Sequence, residues 1–169
     1  YFNNSYGVGN IGNPFADCCL DTTEDGCVVA ELSSFQLETI DTFKPKVSAV
    51  LNITPDHLNR HHTMECYSKT KENISMNQTK DDVCVLNMED EELYRFGSEC
   101  PAKVVWFSSK RKPEIGAYVQ GDDIRYTDGT TDEFMLNVHD MNLLGTHNYE
   151  NVCAAIAMTK AAGIPDDII

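Results

Sequence analysis

The sequence predicts an α/β fold of three layers, with a mainly parallel, doubly wound sheet and a small antiparallel edge. Three observations predict it. Short continuous apolar runs, such as Cys27 to Ala30 and Val47 to Ile53, read as strands buried on both faces. These runs alternate with segments of helical period, the pattern of parallel strands joined by crossover helices. Beyond Ser109 the runs shorten and are split by Gly121-Asp122 and Asp128-Gly129, which are hairpin signals.

Taken in order, Tyr6 to Val8 reads as a short strand ahead of the glycine-rich turn Gly7-Val-Gly9-Asn-Ile-Gly12. Pro14 suits the first turn of a helix reaching about Leu20. Asp21 to Gly26 is a polar turn before the Cys27 to Ala30 strand. A short helix is expected over Phe35 to Phe43, ended by Lys44-Pro45. After the Val47 to Ile53 strand, Thr54-Pro55 has the form of a helix start, with Thr as N-cap and Pro at the first helical position. A longer helix is expected from Met64 to Gln78. Asp82 to Asn87 is the next strand, Asp90 to Phe96 a helix, and Lys103 to Ser108 a further strand. Ala117 to Gln120, Asp123 to Thr127 and Glu133 to Val138 form the antiparallel edge. His147 to Ala162 is the last helix, stopped by Gly163 and Pro165.

Totals narrow the function classes. The chain has 169 residues, the size of one domain with a real core. Its net charge of −14 argues against nucleic-acid and anionic-membrane partners, which call for basic patches. A nucleotide stays admissible, because a metal ion supplies positive charge locally. No run of about 18 apolar residues suggests a membrane span. The N-terminus has neither the basic nor the apolar region of a signal peptide and starts abruptly, as a piece of a longer chain would. Seven cysteines without a C-x-x-C pair predict reduced thiols in a cytoplasmic protein, and no zinc site.

Candidate chemistry gathers between Cys27 and Lys71, where ligands bind beyond the carboxyl ends of strands. Met64, Tyr67, Lys71, Ile74 and Gln78 share one helical face, so Lys71 is placed on the core side and Lys69 is not. A desolvated lysine has a lowered pKa, and a neutral amine takes up carbon dioxide to become a carbamate, an oxygen ligand for a hard metal. The alternative is a lysine whose stem is buried and whose head reaches water. Glu31 ends an apolar strand, where a charge needs a partner or a metal. His57, at the third position of its expected helix, is either a ligand or a structural imidazole. Gly7, Gly9 and Gly12, with Glu31 at the next strand's end, match the dinucleotide fingerprint, whose acidic residue lies about 20 positions on. Asn148 reads as the N-cap of the last helix; with Asn151 it also forms an amide pair suited to a purine edge.

Four ordered motifs carry a family resemblance: Glu31-Leu-Ser-Ser-Phe-Gln-Leu-Glu38, Asn52-Ile-Thr-Pro-Asp-His57-Leu, Tyr67-Ser-Lys-Thr-Lys71 and Gly145-Thr-His-Asn148-Tyr-Glu-Asn151. Together they resemble the central, ATP-binding domain of Mur ligases over nearly the whole chain, residues 1–169. The first motif is most similar to the branch that adds D-glutamate. The resemblance implies ATP-dependent amide synthesis in peptidoglycan precursor assembly. A substrate carboxylate, on UDP-N-acetylmuramoyl-L-alanine, takes the γ-phosphoryl of ATP, and the D-glutamate amine attacks the acyl phosphate. It also implies magnesium on Glu31, a second magnesium on His57 and carbamylated Lys71, contacts from Asn10 and Ser33 to the UDP-linked substrate, and Asn148 and Asn151 at the adenine. Two hard cations would neutralise phosphates and a carboxylate in an acidic chain.

The sequence also departs from the family's pattern. No G-x-x-G-K-[ST] phosphate loop is present, and the family places it ahead of Tyr1. The chain alone is therefore expected to be inactive, with N- and C-terminal domains of the same protein as its partners. Asn59 stands where many relatives have Asp. A dinucleotide-binding module and a carbamate-based metal hydrolase remain the rival readings.

Overall fold

A computed structural model describes residues 1–143 and 145–169. The chain divides into two compact units, Tyr1–Asp41 and Thr42–Ile169.

The first unit is built on two parallel strands, β1 (Ser5–Gly9) and β2 (Cys27–Glu31), paired from Ser5 with Cys27 to Gly9 with Glu31. The glycine turn follows β1. Gly9 has φ 94°, and a Cβ there would lie 2.1 Å from the Glu31 carbonyl oxygen, so only glycine lets β1 end this close to β2. The helix expected up to Leu20 is a single 3₁₀ turn, Phe15–Asp17. The second expected helix is also shorter: α1 covers Ser34–Leu37 and is fixed by a capping box between Ser33 and Gln36. The β2 run is not buried on both faces as expected, since Val28 and Val29 are exposed, Val29 at 61%. A two-stranded sheet has too little surface to cover both faces, and the valines here report strand propensity.

The second unit holds a six-stranded sheet in the order β3-β4-β5-β6-β7-β8. Its strands are β3 (Val47–Val50), β4 (Val83–Asn87), β5 (Lys103–Ser108), β6 (Gly116–Gln120), β7 (Asp123–Thr127) and β8 (Asp132–Asn137). Pairing is parallel from β3 to β6 and antiparallel from β6 to β8, so the expected antiparallel edge is continuous with the main sheet. Within this unit the strand order does not reverse.

Alternation along the buried strands makes the layers. Val85, Val105 and Phe107 face one core with Cys153, Ala154, Ile156 and Ala157 of α5 (Thr146–Ala161). Cys84 and Leu86 face the other, with Leu93 and Phe96 of α4 (Glu91–Gly97) and Tyr67 of α3 (Met64–Glu72). Val85 and Leu86 are wholly buried, and burying such a side chain contributes about 1.5–3 kcal/mol.

Two expectations around β3 are corrected. No helix starts at Thr54-Pro55; α2 covers only Leu58–His61. The helix expected to reach Gln78 ends at Glu72 and tightens into a 3₁₀ turn, Asn73–Ser75. Gln78 is drawn into the sheet instead: its amide accepts from Ser48 at 2.8 Å and donates to the Pro45 and Val83 carbonyls.

Candidate functional site

In the first unit, Asn10 and Glu31 are joined twice. The Asn10 backbone N–H donates to the Glu31 carbonyl at 2.8 Å, and Asn10 Nδ2 donates to Glu31 Oε1 at 3.1 Å. Glu31 is exposed, so its charge needs no buried counter-ion. The carboxylate keeps lone pairs for a cation, since a carboxylate has about four acceptor sites. Ser33 is the N-cap of α1; its Oγ accepts from the Gln36 N–H at 3.3 Å and donates to Gln36 Oε1 at 3.0 Å. Its first task is thus to start that helix.

In the second unit, His57 and Lys71 share one neighbour, Asp56, which bonds His57 and whose charge acts on Lys71. His57 is not the third residue of a helix. It precedes α2 with φ 51° and ψ 27°, a left-handed conformation uncommon outside glycine. Holding a histidine there costs about 1–3 kcal/mol, and such residues gather at functional sites. Asp56 grips it at both ends, accepting the His57 N–H on Oδ1 at 2.7 Å and lying 3.4 Å from Nε2 with Oδ2.

Lys71 is half-buried rather than fully buried, and Lys69 is exposed, as the helical spacing predicts. Lys71 Nζ donates to the Asn52 carbonyl at 2.8 Å and sits 5.3 Å from the centre of the Tyr67 ring. Desolvation lowers its pKa, while the Asp90 and Asp56 carboxylates oppose the shift. Burial raises the Tyr67 pKa, with Asp56 adding to it.

Asn148 does not cap α5. Gly145, with φ 103°, is the N-cap, and Asn148 lies in the first turn with its backbone N–H bonded to the Gly145 carbonyl. Asn148 is half-buried and Asn151 exposed. Three positions apart on one helix, they face the same way. Ser109 Oγ, past the end of β5, donates to Glu150 Oε1 at 2.6 Å and ties this turn to the sheet.

Among the described residues, no three His, Cys, Asp or Glu side chains converge as a preformed metal cage. The donor set still suits magnesium, which usually takes one or two protein carboxylates and completes its shell with water and substrate phosphate. An ammonium at Lys71 does not fit that role, and a carbamate does. The dinucleotide reading fits less well: that motif needs a helix N-terminus at the glycine turn to hold the pyrophosphate, and here a three-residue 3₁₀ turn follows.

Sequence reasoning gave Asn52, Asp56, Asn87 and Asp90 no role at the site. A visible signal was present, since Asn87-Met-Glu-Asp90 places three polar side chains where an apolar strand ends.

The model of the Mur ligase middle domain matches residues 11–159, and the chain belongs to that family. Its relatives are more particular. The chain is 70% identical over 169 residues, all of its length, to the UDP-N-acetylmuramoylalanine–D-glutamate ligase of Lachnospira eligens, and covers 38% of that protein. Against the ligase of the same name from Clostridioides difficile it is 50% identical over 165 residues, 98% of this chain and 36% of that protein. The fold is also that of solved Mur ligases at low identity. MurF from Acinetobacter baumannii aligns with a TM-score of 0.68 at 16% identity, over 95% of this chain and 37% of that one. MurF ligase from Thermotoga maritima, solved in complex with ADP, aligns with a TM-score of 0.64 at 15% identity, over 95% of this chain and 40% of that one. All seven cysteines are free thiols in the structure. Among the described residues, no helix is long and apolar enough to cross a membrane.

Proposed function

We propose that residues 1–169 are the central domain of an ATP-dependent ligase that adds D-glutamate to UDP-N-acetylmuramoyl-L-alanine in the bacterial cytoplasm. The observation that carries this reading is the 70% identity, end to end, with a D-glutamate ligase. Flanking domains of the same protein would bring the UDP-linked substrate and D-glutamate. When bound, magnesium and ATP supply the phosphoryl group and neutralise the charge that gathers around it.

This chain's residues divide the work. Glu31, held by Asn10, would offer a carboxylate to magnesium bound with ATP. Asn10 and Ser33 would contact the UDP-linked substrate. His57, fixed by Asp56, offers an imidazole nitrogen to a second magnesium. Lys71, desolvated toward its neutral form, would take up carbon dioxide and offer a carbamate oxygen to magnesium. Asn148 and Asn151 present amides to the adenine.

The test is product formation by the full-length protein. With ATP, magnesium and UDP-N-acetylmuramoyl-L-alanine, ADP release should depend on D-glutamate, and mass spectrometry should find the glutamyl product. Tight NAD binding without such turnover, lost in Glu31→Ala, would favour a dinucleotide-binding module. Phosphate release from simple esters without ATP would favour a hydrolase.

A further inference from the structure

The parallel ladder between β3 and β4 ends at Val50 and Leu86. Beyond it, two side chains take the place of backbone partners. Asn87 Nδ2 donates to the Leu51 carbonyl at 3.1 Å, and Asp90 Oδ2 accepts the Ile53 N–H at 2.6 Å. In an extended chain, alternate residues turn their peptide groups to opposite sides. With Leu51 and Ile53 held toward β4, the Asn52 carbonyl is turned the other way, and there it accepts from Lys71 Nζ at 2.8 Å.

Both bracketing side chains are anchored in turn. Asn87 is buried, and its Oδ1 accepts the Glu89 N–H at 2.9 Å. Asp90 Oδ1 accepts the Glu92 and Leu93 N–H groups, each at 3.1 Å, as the N-cap of α4.

We propose that Asn87 and Asp90 are positioning residues that aim the Asn52 carbonyl at Lys71 and so fix the pose in which Lys71 carries its carbamate. This inference rests on the carbamate reading given above. When the neutral amine attacks carbon dioxide, an N–C bond forms, one C–O π pair moves onto oxygen, and one proton leaves the nitrogen for water. The planar carbamate nitrogen keeps one N–H. Donated to the Asn52 carbonyl, that N–H sets the plane of the group and therefore where its oxygens lie. A drifting Asn52 carbonyl frees that plane.

Asp90→Asn separates the two tasks of the residue. Asn and Ser cap helices about as well as Asp, but an amide has one acceptor oxygen and cannot serve both α4 and Ile53. Asp90→Ser keeps the cap and is too short for the clamp. Asn87→Asp sets an acceptor against the Leu51 carbonyl.

The experiment uses the full-length protein and four readouts: unfolding midpoint, kcat, the carbamate resonance after exchange with ¹³C-bicarbonate, and Mn²⁺ affinity by electron paramagnetic resonance. Loss of a group that orients a metal ligand typically costs about 10–100-fold. All three variants should lose kcat and Mn²⁺ affinity by about that factor, with a weakened or shifted carbamate resonance. Asp128→Ala, which removes turn bonds to Thr130 and Thr131, should lose stability with kcat and the resonance unchanged. Asp90→Asn with a wild-type resonance and kcat overturns this inference alone. So does a loss of kcat that Asp128→Ala matches at equal loss of stability. A wild-type enzyme that ligates with no carbamate resonance overturns the carbamate reading and this inference with it.

Discussion

Asn10 and Glu31 meet through two hydrogen bonds, one from backbone to backbone and one from side chain to side chain. The first extends the β1–β2 pairing into the glycine turn, and the second orients the carboxylate. Asn10→Ala removes only the second. In the full-length enzyme it should lower kcat/KM about 10–100-fold, the usual cost of an outer partner, with little change in the unfolding midpoint. Steady-state kinetics at varied magnesium would check it, and unchanged magnesium dependence would count against the role of Glu31.

Gly9 tests the same junction from the backbone. Gly9→Ala puts a methyl 2.1 Å from the Glu31 carbonyl oxygen at φ 94°. Backbone strain of this kind costs about 1–3 kcal/mol, and the clash adds to it. Gly121→Ala, at φ 64° with open space around it, should cost less. Thermal unfolding of the two variants should rank them in that order.

Much of this was legible from the sequence, for reasons that differ by element. Lys103 to Ser108 and Asp123 to Thr127 were predicted with the bounds the structure gives them, because continuous apolar runs and Asp-Gly turns mark strand ends locally. Thr54-Pro55 misled for a non-local reason. Its capping pattern is sound, but the segment before it is already held by Asn87 and Asp90, and His57 is held by Asp56. These bonds keep the chain out of helix until Leu58. Helical spacing found the face that carries Lys71. It did not find the carbonyl of Asn52, because backbone acceptors leave no trace in side-chain patterns.

Asp82 predicts a pH dependence of stability. It is buried beside Lys44 at 2.9 Å and accepts the Thr79 N–H and Oγ1. The Lys44 bond first, then the Thr79 N–H, hold its carboxyl well below the usual carboxylate range. The unfolded chain therefore binds the proton first as pH falls past about 4. Stability from this group is complete above that pH and is lost progressively below it. Asp82→Asn should lower the unfolding midpoint at pH 7, and the gap to wild type should narrow as pH drops from about 4 toward 2. A gap independent of pH would show that the carboxylate's charge is not what matters.

At the head of α5, Asn151 is exposed while Asn148 is half-buried. Asn151→Ala should raise the KM for ATP about tenfold with kcat nearly unchanged, the sign of an interaction made equally in ground and transition states. Initial rates at saturating and limiting ATP would separate the two constants. A fall in kcat at unchanged KM would move Asn151 away from the adenine.

Lys71 carries the chemical claim that matters most, that a lysine side chain becomes a magnesium ligand by carbamylation. The most direct measurement is ligation by full-length Lys71→Ala with and without a small carboxylate. Activity should be nearly abolished, and acetate or formate at high concentration should restore part of it by filling the space of the carbamate, while Lys69→Ala stays close to wild type. Near-normal activity in Lys71→Ala, or a strong loss in Lys69→Ala, would contradict the account.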